Sequence, residues 1–472
     1  MRKLTRLPRR WQVLLTVSVA VFMSSLDLFI VNIAFPAIRA DFDGSSLASV
    51  SWVLNAYAIV FAALLVPAGR WADRVGRRRT FVAGVALFTF ASALCALATN
   101  VETLVAARVL QGAGAAALMP TSLALLLPEF PPHQRAMAVG AWAAVGAAAA
   151  AAGPPIGGLL VELSWHWVFL VNLPIGLLTI VLALRVVRET RDPVPGARPD
   201  LIGASLLSLA IGALALALVQ GPAWGWGDGR TLAAFGTAPV VIAAFLARSA
   251  RHPAPVVELS ILRVRSFAMA NLAALLFFAA FGAMLLAGVS YLTEVWGHSV
   301  LRAGFELSPG PAMATIFALT AGRLTQRYGQ RALAVPGAVV FACGAMFWTV
   351  AAGPEPAYAT TYLPGMMLTG TGVGLVLPSL SSAAAASLPP ARFATGTGVF
   401  SMSRQIGGAL GVAAFVAVLG TPSAAQAGAA FDRVWWCIAA GALAAGAASL
   451  ALGRLRVAAP AAPIAAPVEV TA

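Results

Sequence analysis

The chain has 472 residues, of which 60% are hydrophobic and 10% are charged, and its net charge is +14. A soluble domain carries about 25% charged residues, so this composition excludes a soluble globular protein. Lys3 is the only lysine, and single cysteines stand in apolar runs at positions 95, 343 and 437, which excludes P-loop and Schiff-base chemistry, a disulfide framework and a zinc site.

Long apolar stretches fill most of the chain and predict an all-α integral membrane protein. Fourteen stretches of roughly 20 residues, the length that crosses about 30 Å of hydrocarbon, run from residues 11–35 to residues 434–452. The first follows a basic tail, as in a signal peptide, but it is too long for the apolar region of one and contains Asp27. We therefore predict an uncleaved first span. Residues 453–472 are rich in Ala and Pro and predict a disordered cytoplasmic tail.

The basic residues indicate how the spans are oriented. Of the 31 lysines and arginines, 25 fall in the two tails and in alternate loops, four fall on the other side, and Arg108 and Arg404 fall within spans. Positive charge gathers on the cytoplasmic side of membrane proteins. The distribution predicts a multi-pass protein of the cell inner (plasma) membrane with both termini in the cytoplasm, and it removes nucleic acid as the reason for the positive charge.

Three sequence motifs occur twice at a nearly constant separation. Residues 69–76 return as 322–329, residues 112–121 as 370–379, and residues 156–158 as 406–408. Each pair keeps the same direction across the membrane, so we predict two parallel six-helix bundle repeats plus two inserted helices, with a substrate site between the bundles. The predicted segments are a basic cytoplasmic N-tail (1–10), the N-terminal bundle (11–187), a linker with the two extra helices (188–266), the C-terminal bundle (267–452) and the tail (453–472).

Three charged side chains are predicted to lie inside the membrane: Asp27, Arg108 and Arg404. Such a charge costs about 2.5 to 3.5 kcal/mol at the centre of a helix, so it normally has a partner or faces a cavity. Asp27 and Arg108 lie at a similar depth in the outer half, where they can pair. The pair either locks the packing or makes Asp27 a carboxylate that exchanges a proton. Arg404 has no acidic partner in its own half, so cavity lining and pairing across the bundles are equally open.

Two further groups of residues leave alternatives open. Glu294 and Glu306 flank the outer turn between the ninth and tenth spans, where a carboxylate is more often solvated than coupled to transport. The fifth span is rich in glycine and proline, which predicts either tight helix packing or a bend used in gating. The candidate hinge residues of that span are Gly153, Pro154, Gly157 and Gly158.

These motifs together resemble the major facilitator superfamily, specifically its fourteen-span drug:proton antiporter branch, over nearly the whole chain. Residues 26–36 resemble the first-span motif of that branch, and residues 108–114 resemble the span-four motif, whose arginine is implicated in proton coupling. Residues 153–158 resemble the span-five signature, which is associated with exporters rather than importers. The resemblance thus implies an exporter.

The same resemblance implies a conformational latch in the loop after span two. Residues 69–78 match the superfamily's loop signature, in which interdomain charge contacts are thought to latch the outward-open state. Gln326 replaces the expected acidic residue in the second copy of this loop, and His166 stands where an arginine is usual in the connection between spans five and six. The implied latch residues are Gly69, Asp73, Arg74, Gly76 and Arg77.

We expect a proton-coupled efflux protein for hydrophobic or amphipathic small molecules such as drugs or antibiotics, in which Asp27 and Arg108 carry the coupling. No cofactor or metal is expected, because the proton gradient supplies the energy. The expected partners are a small-molecule substrate, protons and the lipid bilayer, without nucleic acid, and the protein is expected to act as a monomer. The alternative is a secondary transporter of a single defined metabolite or lipid; a channel or sensor is a further class, and no nucleophile and base pair favours an enzyme. The predicted substrate cavity comprises Asn32, Tyr57, Gln111, Arg404 and Gln405.

Overall fold

The computed structural model describes residues 7–42, 44–131, 134–192, 197–389, 392–423 and 426–452. Within those ranges every regular element is a helix, as the apolar sequence predicts. The predicted tail at 453–472 lies outside the described residues, as does most of the predicted N-tail at 1–10.

The N-terminal bundle contains six long helical segments, and a short helix precedes the last of them. Its helices are α1 (Arg9–Asp41), α2 (Leu47–Val75), α3 (Arg77–Ala96), α4 (Val101–Leu126), α5 (Arg135–Leu163), α6 (Trp167–Leu170) and α7 (Asn172–Val186). The linker then forms α8 (Leu201–Trp224), α9 (Gly229–Arg251) and α10 (Leu259–Leu262).

The C-terminal bundle repeats this plan. Its helices are α11 (Arg265–Ser290), α12 (Val300–Leu307), α13 (Pro309–Tyr328), α14 (Arg331–Ala351), α15 (Leu363–Ala386), α16 (Phe393–Leu419) and α17 (Ala427–Leu450). Single π-helical turns extend the end of α11 and precede α15, at Tyr291–Val295 and Tyr358–Tyr362.

Thirteen helical segments in the described ranges are long and apolar enough to cross a membrane. The remaining predicted span, residues 304–321, corresponds to α12 and α13, so its predicted start at residue 304 is wrong. The chain breaks before Pro309 because proline lacks the backbone N–H that a continuous helix needs. α13 has 20 residues, enough to cross at about 1.5 Å per residue. Its last turns carry Arg323 and Arg327, which lower its mean hydropathy.

The two bundles pair their helices in the same order. In the N-terminal bundle, α4 packs against α2 and α3, α1 packs against α5 and α7, and α3 packs against α7. The C-terminal bundle repeats all of these pairings: α15 packs against α13 and α14, α11 against α16 and α17, and α14 against α17. This packing confirms the predicted fold class of two parallel six-helix repeats.

Repeated glycines allow the helices within each bundle to approach closely. A Cβ on Gly112 of α4 would lie 2.7 Å from the carbonyl oxygen of Tyr57 in α2. Gly370 of α15 meets Gly310 of α13 in the corresponding place. Between helices in lipid the hydrophobic effect provides little attraction, so this close packing of small residues is what stabilises the bundle.

The two inserted helices cover one side of the contact between the bundles, where α2 packs against α16. α8 and α9 pack against each other, and α8 also contacts α2 and α16, one helix from each bundle. Asp200 caps the start of α8 by accepting the backbone N–H of Gly203, and it accepts a hydrogen bond from Arg248 Nε of α9 at 2.6 Å. The inserted pair is therefore fixed as a hairpin outside the α2 and α16 contact.

Candidate functional site

Asp27 of α1 and Arg108 of α4 form an ion pair inside the N-terminal bundle. Arg108 Nη1 donates to Asp27 Oδ2 at 2.6 Å, and neither side chain has any exposed surface. Removing one partner of a buried pair costs about 3 to 5 kcal/mol, because the other charge is left buried alone. A change of charge at either residue therefore leaves the charge of the other without its partner.

Three polar side chains complete the surroundings of Asp27. Gln111 Nε2 and Asn172 Nδ2 donate to Asp27 Oδ1 at 2.8 and 3.0 Å. The same two amides contact the Ser92 hydroxyl oxygen, at 2.8 and 3.3 Å respectively. Asp27 thus accepts hydrogen bonds from both α4 and α7, while α3 contributes the hydroxyl that holds the two amides in place.

Arg108 also connects the polar side chains around Asp27 to α2. Its Nε donates to the carbonyl oxygen of Val53 at 2.9 Å, and its guanidinium lies 4.2 Å from the centroid of the Tyr57 ring. A second bond from Nη1 goes to Gln111 Oε1. The cluster around Asp27 therefore joins five helices of the N-terminal bundle, namely α1, α2, α3, α4 and α7.

The five residues predicted to line a substrate cavity lie in different places. Tyr57 and Gln111 are 1% and 0% exposed and belong to the buried cluster, so in this conformation they line no open space. Asn32 is 7% exposed, and its amide donates to a backbone carbonyl of its own helix. Arg404 and Gln405 lie on α16, in the other bundle, and are partly buried.

Arg404 carries a charge for which the described part of the chain provides no counter-ion. Its guanidinium lies 4.5 Å from the ring centroid of Phe278 in α11, and its Nε is buried without a hydrogen-bond partner. A cation–π contact contributes about 0.5 to 2 kcal/mol. That is less than the roughly 2.5 to 3.5 kcal/mol that an arginine costs at the centre of a membrane helix. The ring alone does not offset the cost of this charge.

The predicted latch loop turns at Gly76, whose φ of 129° favours glycine. Glu189, from the segment after α7, accepts hydrogen bonds from the backbone N–H groups of Arg78 and Arg79 at 3.0 and 3.1 Å. A carboxylate in this position bonds the free donors at the start of α3 and is attracted by the helix dipole. Sequence reasoning missed Glu189 because it lies more than a hundred residues from the loop. Gly69, near the end of α2, packs against α4.

Two ion pairs lie in or next to this loop. Asp73 Oδ1 accepts a hydrogen bond from Arg77 Nε at 2.8 Å, within the same loop. Arg70 Nη2 lies 3.2 Å from Glu258 Oε1, which joins the end of α2 to the segment that leads into α11. The interdomain contact expected of Asp73 and Arg74 stays a prediction.

The glycine-rich part of α5 packs on two sides. Gly153 and Gly157 face α1 within the N-terminal bundle. Gly158 faces the other bundle, because a Cβ there would lie 2.8 Å from the backbone of α12, and Gly304 of α12 packs against the carbonyl of Pro154. α5 is a single helix through this region. The contacts agree with the tight-packing interpretation, and a role as a hinge stays a prediction.

Two carboxylates with basic partners, Glu294 and Glu306, lie near this contact at the predicted outer side. Arg39 Nη1 of α1 lies 3.1 Å from Glu294 Oε1 at the end of α11, a bond between the two bundles. Glu306 is 9% exposed and lies 2.7 Å from His298 Nδ1 and 2.9 Å from Arg302 Nε. The expectation of a solvated carboxylate is therefore wrong for Glu306. The i,i+4 spacing of Arg302 and Glu306 could have indicated the first partner, whereas the contact with His298 depends on the turn before α12.

Three curated relatives match most of this chain. The tetracenomycin C resistance and export protein of Streptomyces glaucescens is 35% identical over 428 residues, which cover 90% of this chain and 78% of that protein. The multidrug resistance protein Stp of Mycobacterium tuberculosis is 35% identical over 414 residues, or 86% of this chain and 75% of that protein. The methylenomycin A resistance protein of Bacillus subtilis is 34% identical over 423 residues, or 89% and 90%.

Solved structures of other transporters share the fold. An auto inhibited POT family peptide transporter superposes with a TM-score of 0.68 and 18% identity over 97% of this chain and 99% of that chain. The nucleoside transporter NupG gives a TM-score of 0.64 and 15% identity over 94% of this chain and 100% of that chain. At these identities the likeness shows the fold alone. Residues 17–412 match the Major Facilitator Superfamily. The chain belongs to the Major Facilitator Superfamily.

Proposed function

We propose that this protein exports hydrophobic or amphipathic small molecules, such as drugs or antibiotics, in exchange for protons. The observation that carries the proposal is the fully buried pair of Asp27 and Arg108, at the centre of a hydrogen-bonded cluster that joins five helices of one bundle. Carboxylates inside the membrane segments of transporters take part in proton relays, in which they bind and release protons. The names of the relatives, which refer to resistance and export, support a drug-like substrate.

The geometry suggests how a proton gained at Asp27 changes the shape of the protein. Protonation removes the negative charge that holds Arg108, while the bond of Arg108 to α2 remains. The attraction between Asp27 of α1 and Arg108 of α4 is then weaker, so these two helices are held together less strongly. Because α1 packs against α5, and α5 forms the contact with α12 of the other bundle, a shift of α1 is passed to the outer contact between the bundles. This is the coupling that alternating access requires.

The proposal includes the setting in which the protein works. Both termini lie in the cytoplasm, the spans cross the plasma membrane, and the protein acts as a monomer. The energy comes from the proton gradient and no cofactor takes part. The charge distribution along the chain supports the orientation, since 25 of 31 basic residues fall on one side of the predicted spans.

Expression in a bacterial host that lacks its own efflux pumps tests the proposal. Wild type should raise resistance to several chemically unrelated compounds and should increase the efflux of a fluorescent dye. Asp27→Asn should abolish both effects. Asp200→Asn is the matched control, because Asp200 is a buried carboxylate paired with an arginine at 2.6 Å but lies far from the cluster in sequence and on a linker helix.

Three results would contradict the proposal. If expression of the wild-type protein changes neither the resistance of the host nor its dye efflux, the protein is not a drug exporter. Resistance to a single compound would favour the alternative, a transporter of one defined metabolite or lipid. If Asp27→Asn and Asp200→Asn lose activity equally, the loss reflects folding rather than proton coupling.

A further inference from the structure

Arg404 lies near the middle of α16 in the C-terminal bundle. It is 11 residues from the start of α16 at Phe393, which corresponds to about 16 Å along the helix and to the middle of the membrane. In the described residues its Nε has no hydrogen-bond partner although the atom is buried. The neighbouring Gln405 shows the same feature, because its Nε2 is also buried without a partner. Two neighbouring residues near the middle of α16 therefore each carry a buried hydrogen-bond donor that has no acceptor among the described residues.

No acidic residue of the C-terminal bundle is in a position to neutralise Arg404. Residues 265–452 contain four acidic residues, at positions 294, 306, 355 and 432. All four lie at the predicted outer side, in helix ends or in the connections between helices, and those at 294 and 306 already have basic partners. In the N-terminal bundle, Asp27 is held by Arg108. The two arginines inside the membrane thus differ: Arg108 has a carboxylate of its own and Arg404 has none among the described residues.

Open space lies beside Arg404. Gly408 is one helical turn further along α16, and a Cβ added there would meet nothing within 4 Å. Gly407 and Gly411, by contrast, pack against the backbone of α11. α16 lies at the boundary between the bundles, because it packs against α2 of the N-terminal bundle. We place its open side toward the space between the bundles, where a substrate site is expected in parallel-repeat transporters.

An aromatic ring completes this arrangement. Phe278 of α11 lies 4.5 Å from the guanidinium carbon of Arg404. A flat apolar surface next to a fixed positive charge is complementary to a molecule that has both an aromatic part and an acidic group.

We propose that Arg404 and Gln405 bind the acidic group of an anionic amphipathic substrate, such as a carboxylate, a sulfonate or an ionised phenol. Phe278 contacts the apolar part of the same molecule. The substrate then supplies the counter-ion that the protein lacks at this depth, and the N-terminal pair remains available for the proton. This inference rests on the proposed export function and specifies its substrate class.

A pair of dyes with the same ring system tests the proposal. Anilinonaphthalene sulfonate carries a permanent negative charge, whereas N-phenylnaphthylamine is uncharged. We expect everted membrane vesicles with wild-type protein to accumulate both dyes. Arg404→Ala should lower the initial rate for the sulfonate by at least about tenfold and change the rate for the uncharged dye by less than about twofold. Arg404→Lys should restore part of the sulfonate rate, because it restores the charge without the planar fork.

Export of the uncharged dye in the same vesicles shows that each variant has folded. Arg433→Ala is the matched control, since Arg433 is an exposed arginine of the same bundle, and it should leave both rates unchanged. Equal loss of both dyes in Arg404→Ala, no loss of either, or wild-type export of the uncharged dye alone would overturn the anion site and leave the export function standing. Wild type that exports neither dye would overturn the proposed function itself.

Discussion

Arg108 makes three kinds of contact with one guanidinium: an ion pair with Asp27, a bond to the backbone of α2 and a stacking contact with Tyr57. The pairing with Asp27 was predictable, because an arginine and an aspartate at similar depth in the same bundle lower each other's cost in the membrane. The positions of Ser92 and Asn172 were not, since they depend on how α3 and α7 pack against α1. The pairing of the two charges could therefore be predicted from electrostatics. The residues whose positions depend on how the helices pack could not be predicted.

Two sets of substitutions separate a structural role of this pair from a role in coupling. Arg108→Ala leaves the Asp27 charge buried alone, so we expect a loss of stability of about 3 to 5 kcal/mol. The double variant Asp27→Asn with Arg108→Gln removes both charges, and its stability should recover because a neutral polar pair needs no counter-ion. Thermal unfolding of the purified proteins measures both effects, and dye accumulation in vesicles measures transport.

The double variant decides between the two roles. If the pair couples transport to protons, the double variant folds but does not concentrate the dye. Wild-type accumulation by the double variant would mean that the pair only fixes the packing.

At the scale of helices, the contact of α5 with α12 is one of the features that link the two bundles at the predicted outer side. The sequence predicted that α5 packs tightly, because its small residues allow close approach. It did not predict α12 as a separate helix, since residues 304–321 form a mostly apolar run with one charged residue, Glu306, and the break at Ser308 falls inside that run. For the same reason, the sequence did not show that Gly158 packs against α12.

A methyl group added to Gly158 should loosen this contact. A Cβ there would lie 2.8 Å from Leu301 Cα, whereas Gly140, in the same helix, has nothing within 4 Å. In a protein without its native cysteines, Leu301→Cys should react several-fold faster with a membrane-impermeant maleimide added outside when Gly158→Ala is present. Gly140→Ala should leave the rate unchanged. Equal rates in all three proteins would mean that this contact does not hold the outer side closed.

At the scale of the whole molecule, the repeat in the sequence predicted the architecture well. Motifs about 253 residues apart, such as Gly76 and Gly329, both turn with positive φ, at 129° and 88°. The sequence did not indicate where the inserted helices lie. Their position against α2 and α16 follows from tertiary contacts that leave no periodic signal in the chain.

The orientation in the membrane is open to a direct test by reporter fusions. Green fluorescent protein joined to the C-terminus should fluoresce, and alkaline phosphatase in the same place should be inactive, because that terminus is predicted to be cytoplasmic. Phosphatase inserted at Gly227, between α8 and α9, should be active, because that loop is predicted to lie outside. The reverse pattern would contradict the predicted orientation and the outer position assigned to the contact of α5 with α12.

The central claim is that Asp27 couples export to the movement of protons. The most direct test measures dye accumulation in everted vesicles that carry a pH gradient, acid inside, and compares it with equilibration of the dye when the gradient is absent. Wild type should concentrate the dye with the gradient and lose the concentrated dye when the gradient is dissipated. Asp27→Asn should equilibrate the dye but never concentrate it, and concentration of the dye by Asp27→Asn to the wild-type level would contradict the account.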